Sequence, residues 1–300
     1  MRKPAIFKIL IFIVATAILL ASCTSKPVNS KPNRTAVENE RQPIKERLIK
    51  IEDEYPRFEY SISMPIVEKT EGRSRDVVFY RDGGAIYGRL TVPKGQGPFK
   101  TIIIVNGLYA PLGRYSDKAE HYAEHGYAVI EFLCQNGTPP ESGDDPEWLG
   151  NFIVDQILDL YAVIDSCSYF AEVDTSNLYL YGHSMGGMVA SYAGTFRQDD
   201  IKGMILVDPS FYAPDIMWFE NDIELITTDI YSLFKTCKIP VVIFTGTEGS
   251  FGEDPEFFKP ALAAFPNVEF IVIEGATHTM DGVEGEHLVD LSVELIASWG

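Results

Sequence analysis

Residues 178–190 read LYLYGHSMGGMVA, four strand-like residues that run through Gly182-His183-Ser184-Met185-Gly186-Gly187 into a helix-like Met188-Val189-Ala190. A serine between glycines at a strand-to-helix junction has two readings. Either the glycines serve a tight turn, or they let the chain turn sharply beneath a serine that must project. A bare G-x-S-x-G is common by chance. Its weight here comes from the strand before it and the helix after it, the context a nucleophile elbow requires. A serine hydroxyl is a weak nucleophile near neutral pH. It needs a base, a group that orients the base, and donors for the developing oxyanion.

Outward from this stretch, short apolar runs alternate with helical patterns. Asp76–Tyr80 and Ala85–Val92 read as strands around the turn Asp82-Gly83-Gly84. Thr101–Val105 (TIIIV) is wholly apolar after its threonine, as a strand buried on both faces should be. A helix is expected over Tyr115–Glu124, closed by Gly126, and a strand over Tyr127–Phe132. Ile153, Ile157, Leu160, Ile164 and Cys167 form a helical stripe, with Asp155 and Asp159 expected opposite it. Leu178–Tyr181, Gly203–Val207, Val241–Phe244 and Glu269–Ile273 continue the strands. The alternation predicts an α/β protein: a mostly parallel sheet with helices on both faces, and no second large domain.

The N-terminus reads differently. Arg2, Lys3 and Lys8 precede an apolar run from Ile9 to Ala21 that is short for a bilayer span and suits a signal peptide. The run ends in Leu20-Ala21-Ser22-Cys23, which resembles the box at which bacterial lipoproteins are cut before a cysteine that becomes lipidated. Residues 1–22 are therefore expected to be a lipoprotein signal peptide with Cys23 the lipidation site, residues 23–43 a flexible Ser/Lys/Pro/Asn-rich tether, and residues 44–300 the folded domain. Ile44, Leu48, Ile51 and Tyr55 fall at helical spacing at the start of that domain. The expected location is the cell envelope, anchored to a bacterial membrane by lipid, with the domain outside the cytoplasm.

Removing residues 1–22 takes away three basic and no acidic residues, so the formal charge moves from −18 to −21. Such an acidic chain is a poor partner for nucleic acid or for anionic lipid headgroups. Cys134, Cys167 and Cys237 have neither CxxC nor Cys/His spacing and read as core residues.

Three further stretches, TVPKGQGPFKTIIIVNG, AEHYAEHGYAVIEF and VDTSNLYLYGHSMGGMVA, resemble in order the elements of the α/β-hydrolase superfamily over roughly residues 75–300. The resemblance implies that fold with a small lid or none, and an oxyanion hole of backbone N–H groups. Met185 would supply one, and Leu108, in the Asn106-Gly107-Leu108 turn after TIIIV, the other. No metal or organic cofactor is expected, since a serine–histidine–acid set and an oxyanion hole cover each charge change.

His278, in the EGATHTM loop after a strand, is the expected general base, since open α/β sheets place their sites at the carboxyl ends of strands. His183 reads as support for the elbow and His287 as surface. His121 and His125 match H-x-x-E-H, a zinc-protease pattern, but no downstream ligand set accompanies it, and a surface helix explains the stretch. The acid has two candidates. Many superfamily members place it after the strand that here reads VVIFTG, at a position occupied by Gly249, with Glu248, Glu253 and Asp254 nearby but shifted. Asp208 ends the preceding strand in LVDPSF, an arrangement similar to that of platelet-activating-factor acetylhydrolases, and is preferred over Glu248.

The expected chemistry is cleavage of small-molecule carboxylic esters through Ser184, His278 and Asp208. A peptidase or thioesterase on the same residues, or a lipid-anchored binding protein with a relic site, remain alternatives. Phe211, Tyr212, Met217, Trp218 and Phe219 either border an apolar pocket or pack the Asp208–Pro240 connection against the sheet. The Gln135–Trp148 loop is a second candidate border.

Overall fold

The computed structural model describes residues 60–135, 146–211, 231–249 and 255–299. The signal peptide, Cys23, the tether, the helical spacing at Ile44–Tyr55, the lid aromatics Tyr212, Met217, Trp218 and Phe219, most of the Gln135–Trp148 loop, and Glu253 and Asp254 lie outside the described residues.

Among the described residues nine strands form one sheet: β1 (Ile62–Glu71), β2 (Ser74–Arg81), β3 (Gly84–Thr91), β4 (Phe99–Val105), β5 (Ala128–Phe132), β6 (Val173–His183), β7 (Ile201–Val207), β8 (Val241–Glu248) and β9 (Val268–Thr277). Their order across the sheet is β1-β2-β3-β5-β4-β6-β7-β8-β9. The pairings from β1 to β5 through β2 and β3 are antiparallel, and all from β5 to β9 are parallel. Among the described residues the α-helices are α1 (Ser116–Glu124), α2 (Pro146–Ser166), α3 (Met185–Phe196), α4 (Pro255–Ala264) and α5 (Gly282–Ser298).

The continuous apolar strands have a simple origin. Successive side chains point to opposite faces, and both faces are covered. Ile103 and Val105 of β4, Leu178 and Leu180 of β6, and Met204 and Leu206 of β7 enter one core with residues of α2, α3 and α4. Their neighbours Ile102, Ile104, Tyr179, Tyr181, Ile205 and Val207 enter the other, with residues of α1 and α5. A polar residue in these strands would have to be buried on one side or the other.

Two expectations need correction. Strand β1 had no counterpart in the sequence reading, because two register shifts against β2 and Pro65 spoil its alternation. Asp159 does not lie on a solvated side of α2. It is fully buried, with Oδ1 2.6 Å from Arg81 Nε and Oδ2 accepting the Gln135 N–H at 2.7 Å. Helix α2 is wrapped by apolar neighbours on more than its stripe, since Leu158, Tyr161, Ala162 and Val163 are buried too. A carboxylate there is tolerated only because a guanidinium and a backbone donor meet it. Cys167 and Cys237 are buried and Cys134 half-buried, and all three are free thiols.

Candidate active site

The carboxyl ends of β4, β6, β7 and β9 converge on the elbow. Ser184 caps α3 with φ 55° and ψ −123°, a left-handed backbone that a non-glycine residue rarely adopts. The turn is held by Ser184 N–H to Val207 O (3.0 Å), by Gly187 N–H to Ser184 O (2.9 Å) and by Ser210 N–H to Ser184 O (2.9 Å). Glycines are demanded by space. A Cβ on Gly182 would stand 2.5 Å from Gly186 O, one on Gly186 2.2 Å from Val105 O, and one on Gly187 2.6 Å from Pro209 Cβ. The start of α3 is thus wedged between the turn after β4 and the turn after β7.

That wedging presses the Asn106-Gly107-Leu108 turn against the helix N-terminus. Gly186 would also clash with Asn106 O, at 2.5 Å, if it carried a side chain. The turn closes through Ala110 N–H to Gly107 O at 3.1 Å, with Tyr109 at φ 61°. Among the described residues, neither Leu108 N–H nor Met185 N–H has a backbone acceptor. The positive end of α3 adds to the field at Met185 N–H.

His278 follows β9, and its Nδ1 is hydrogen-bonded to Asp208 Oδ2. Asp208 follows β7 with φ 41° and is fully buried. Its N–H donates to Phe244 O at 2.7 Å, and its Oδ1 accepts the Thr245 hydroxyl at 2.9 Å. Both carboxylate oxygens are therefore occupied, which fixes the plane that the imidazole meets. Glu248 is exposed on β8, opposite Thr277. At Gly249 a Cβ would lie 3.1 Å from Asp208 Oδ2, so the Asp208 carboxylate occupies the space a side chain there would enter.

His183 plays a different part. Its Nε2 stands 2.8 Å from His278 O, and a carbonyl only accepts, so Nε2 carries the proton. Nδ1 then accepts the Tyr115 hydroxyl at 2.7 Å, and Tyr115 Oη in turn accepts the Gly107 N–H at 3.2 Å. Burial, followed by the nearby His278 ring, pushes the His183 pKa down to about 4. It stays neutral where a general base works, and its two nitrogens are already committed. One chain of hydrogen bonds therefore joins the turn after β4 to the loop that carries His278.

Tyr115 is set by Glu131 of β5, which accepts the N–H groups of Gly113 (2.8 Å) and Tyr115 (3.3 Å). The His278 loop is held from the other side by Asp281, paired with Arg114 at 2.6 Å, and by Lys118 Nζ, 3.3 Å from Thr279 O. Sequence reasoning missed Thr245, Tyr115, Glu131 and this clamp. Thr245 had a signal, as a polar residue closing an apolar strand. Glu131 had the same one, inside AVIEF. Tyr115 had none.

His121 and His125 stand apart from this cluster, on the side of α1 that meets α5, and His287 is exposed on α5. Phe211, the one described lid aromatic, is buried and packs edge-on against Phe234 at 5.6 Å. In that residue the connection's aromatics pack the core.

A family model described as serine aminopeptidase, S33, matches residues 96–241. Among solved structures, acetyl xylan esterase from Paenibacillus sp. R4 is 16% identical with a TM-score of 0.61, over 85% of this chain and 92% of that one. Est1E from Butyrivibrio proteoclasticus is 19% identical with a TM-score of 0.58, over 74% and 99%. The Paleococcus ferrophilus monoacylglycerol lipase is 16% identical with a TM-score of 0.55, over 72% and 99%. No curated protein matches the sequence. With its mostly parallel sheet, its helices on both faces and the tight strand-to-helix turn at Ser184, the chain has the α/β-hydrolase fold.

Proposed function

We propose that the protein is a serine hydrolase of carboxylic esters, with Ser184 as nucleophile, His278 as general base and Asp208 as the acid that orients it. The observation that carries the reading is the bond from His278 Nδ1 to a buried, doubly satisfied carboxylate, at strand ends that share the turn bearing Ser184. Ser184 Oγ attacks the ester carbonyl, and His278 Nε2 takes its proton. The N–H groups of Leu108 and Met185 receive the oxyanion. The tetrahedral species collapses as His278 returns the proton to the leaving alcohol. Water, activated by the same histidine, then releases the acid from Ser184. Each charge that develops has a partner in this chain, and the proposal uses no metal or organic cofactor.

The esterase and lipase among the solved structures support the ester reading, while the family description favours a second one, a peptidase on the same residues. A panel of matched esters, thioesters and amides separates them: ester turnover should dominate, and amide turnover of equal kcat/KM would overturn the choice. Labelling by a fluorophosphonate should occur at Ser184 and vanish in Ser184→Ala, with kcat falling about 10⁶-fold. Equal labelling of that variant would remove the serine from its role.

The address belongs to the same proposal. Basic residues, a short apolar run and Leu20-Ala21-Ser22-Cys23 support lipidation at Cys23 and a place in the cell envelope. Cys23→Ser should abolish acylation and move the protein from membrane to soluble fractions, and unchanged membrane association would refute the anchor.

A further inference from the structure

His121 lies in the last turn of α1 and His125 caps that helix, four residues on, so both rings project from one helix face. Their ring centres are 5.0 Å apart. Each Nε2 stands 3.0 Å from the same atom, Oδ1 of Asp290 on α5. The three ligand-capable atoms lie within 4.8 Å of one another. We propose that His121, His125 and Asp290 form a surface site for a divalent transition-metal ion of the zinc class, bridging α1 and α5.

The donor set selects that class. Two imidazole nitrogens and one carboxylate oxygen suit zinc, nickel or copper(II), whereas magnesium and calcium take oxygen alone. Zinc sits about 2.0–2.2 Å from such ligands, which puts tetrahedral neighbours about 3.3 Å apart. The two nitrogen-to-oxygen spacings are within a few tenths of an ångström of that value. The side chains of His121, His125 and Asp290 are 25%, 37% and 51% exposed, so an ion and its water ligand have access.

Binding is balanced in protons. The ion takes the place of the Nε2–H protons that now point at one oxygen, and each ring bound through Nε2 carries its proton on Nδ1. For His121 the Glu124 carboxylate lies 3.8 Å from Nδ1, beyond a hydrogen bond but near enough for its charge to favour a proton there. The site is also built in advance. Tyr122 of α1 and Ser292 of α5 share a buried hydrogen bond of 2.6 Å, and Tyr122, Ala119, Leu288 and Val289 share one core. The ion joins helices that are already packed, so little ordering cost opposes it. No reaction is attached to it: the ion clamps the helix that follows the Leu108 turn to the helix that follows the His278 loop.

Zinc titrated into the chelator-treated full chain should bind with one equivalent by calorimetry, and the melting temperature should rise with zinc concentration. Asp290→Asn should weaken zinc at least tenfold, and His121→Asn with His125→Asn should remove the calorimetric signal, both variants keeping wild-type circular dichroism and ester turnover. X-ray absorption at the zinc edge should report two imidazole nitrogens. Wild-type chain that takes no zinc, or a double histidine variant that binds it as the wild type does, overturns the proposal.

Discussion

The carboxyl ends of β7 and β8 are neighbours, and each carries an acidic side chain, yet the two ends are built in opposite ways. At β7 the strand stops in a left-handed residue, Asp208, buried with both oxygens and its N–H committed. At β8 the chain runs on through Gly246, Thr247 and exposed Glu248 to Gly249, whose missing side chain leaves room for Asp208. An orienting acid, the role proposed for Asp208, needs a carboxylate that cannot swing, and the β7 end holds its carboxylate in that way. The difference teaches that the two positions are coupled: the space admits one carboxylate, and a glycine at one end is the counterpart of an aspartate at the other.

The comparison breaks or holds on three measurements. Asp208→Asn should lower kcat about 10⁴-fold with the fold retained, because the imidazole is left in the wrong tautomer. Retained activity would move the acid elsewhere. The exchange variant Asp208→Gly with Gly249→Asp puts the carboxylate at the β8 end, and glycine accepts the positive φ at 208. Relative to Asp208→Gly alone, kcat should recover about 10²-fold but stay about 10²-fold below wild type, since misplacement near 1 Å costs about that much. No recovery would mean that the Thr245 clamp, rather than the presence of an acid, makes the β7 end competent. Glu248→Gln should change kcat less than about threefold, as an exposed charge does. A loss like that of Asp208→Asn would reverse the comparison outright.

The sheet was legible in the sequence because its strands are buried on both faces and bounded by turn residues, a pattern that needs no knowledge of partners. Ser184, His278 and Asp208, the residues proposed for the site, read as strand-end residues around one serine, and the structure sets His278 beside Asp208. What escaped depends on contacts far along the chain. Asp159 looks solvated until Arg81, 78 residues away, is seen beside it. Tyr115 gains meaning only through His183, 68 residues on. The HYAEH match was visible, but the carboxylate facing both histidines is Asp290, 165 residues beyond His125. Thr245 and Glu131 were the exceptions, polar letters inside apolar strands whose burial had to be satisfied by something.

Strand β1 has a bearing on how these molecules behave in company. Among the described residues it ends the sheet, and an end strand is a ready template for a strand of another copy. Met64, Ile66 and Val67 on it are 71%, 51% and 45% exposed, which by composition would invite sticking. Pro65 has no N–H to offer, and the two register shifts turn successive donors out of line. An incoming strand would therefore meet an interrupted row of donors, and the net charge of −18 opposes close approach of copies. An irregular backbone is thus a guard on this edge, and straightening β1, with Pro65→Val for example, should raise light scattering on concentration while leaving Ser184, His278 and Asp208 in place.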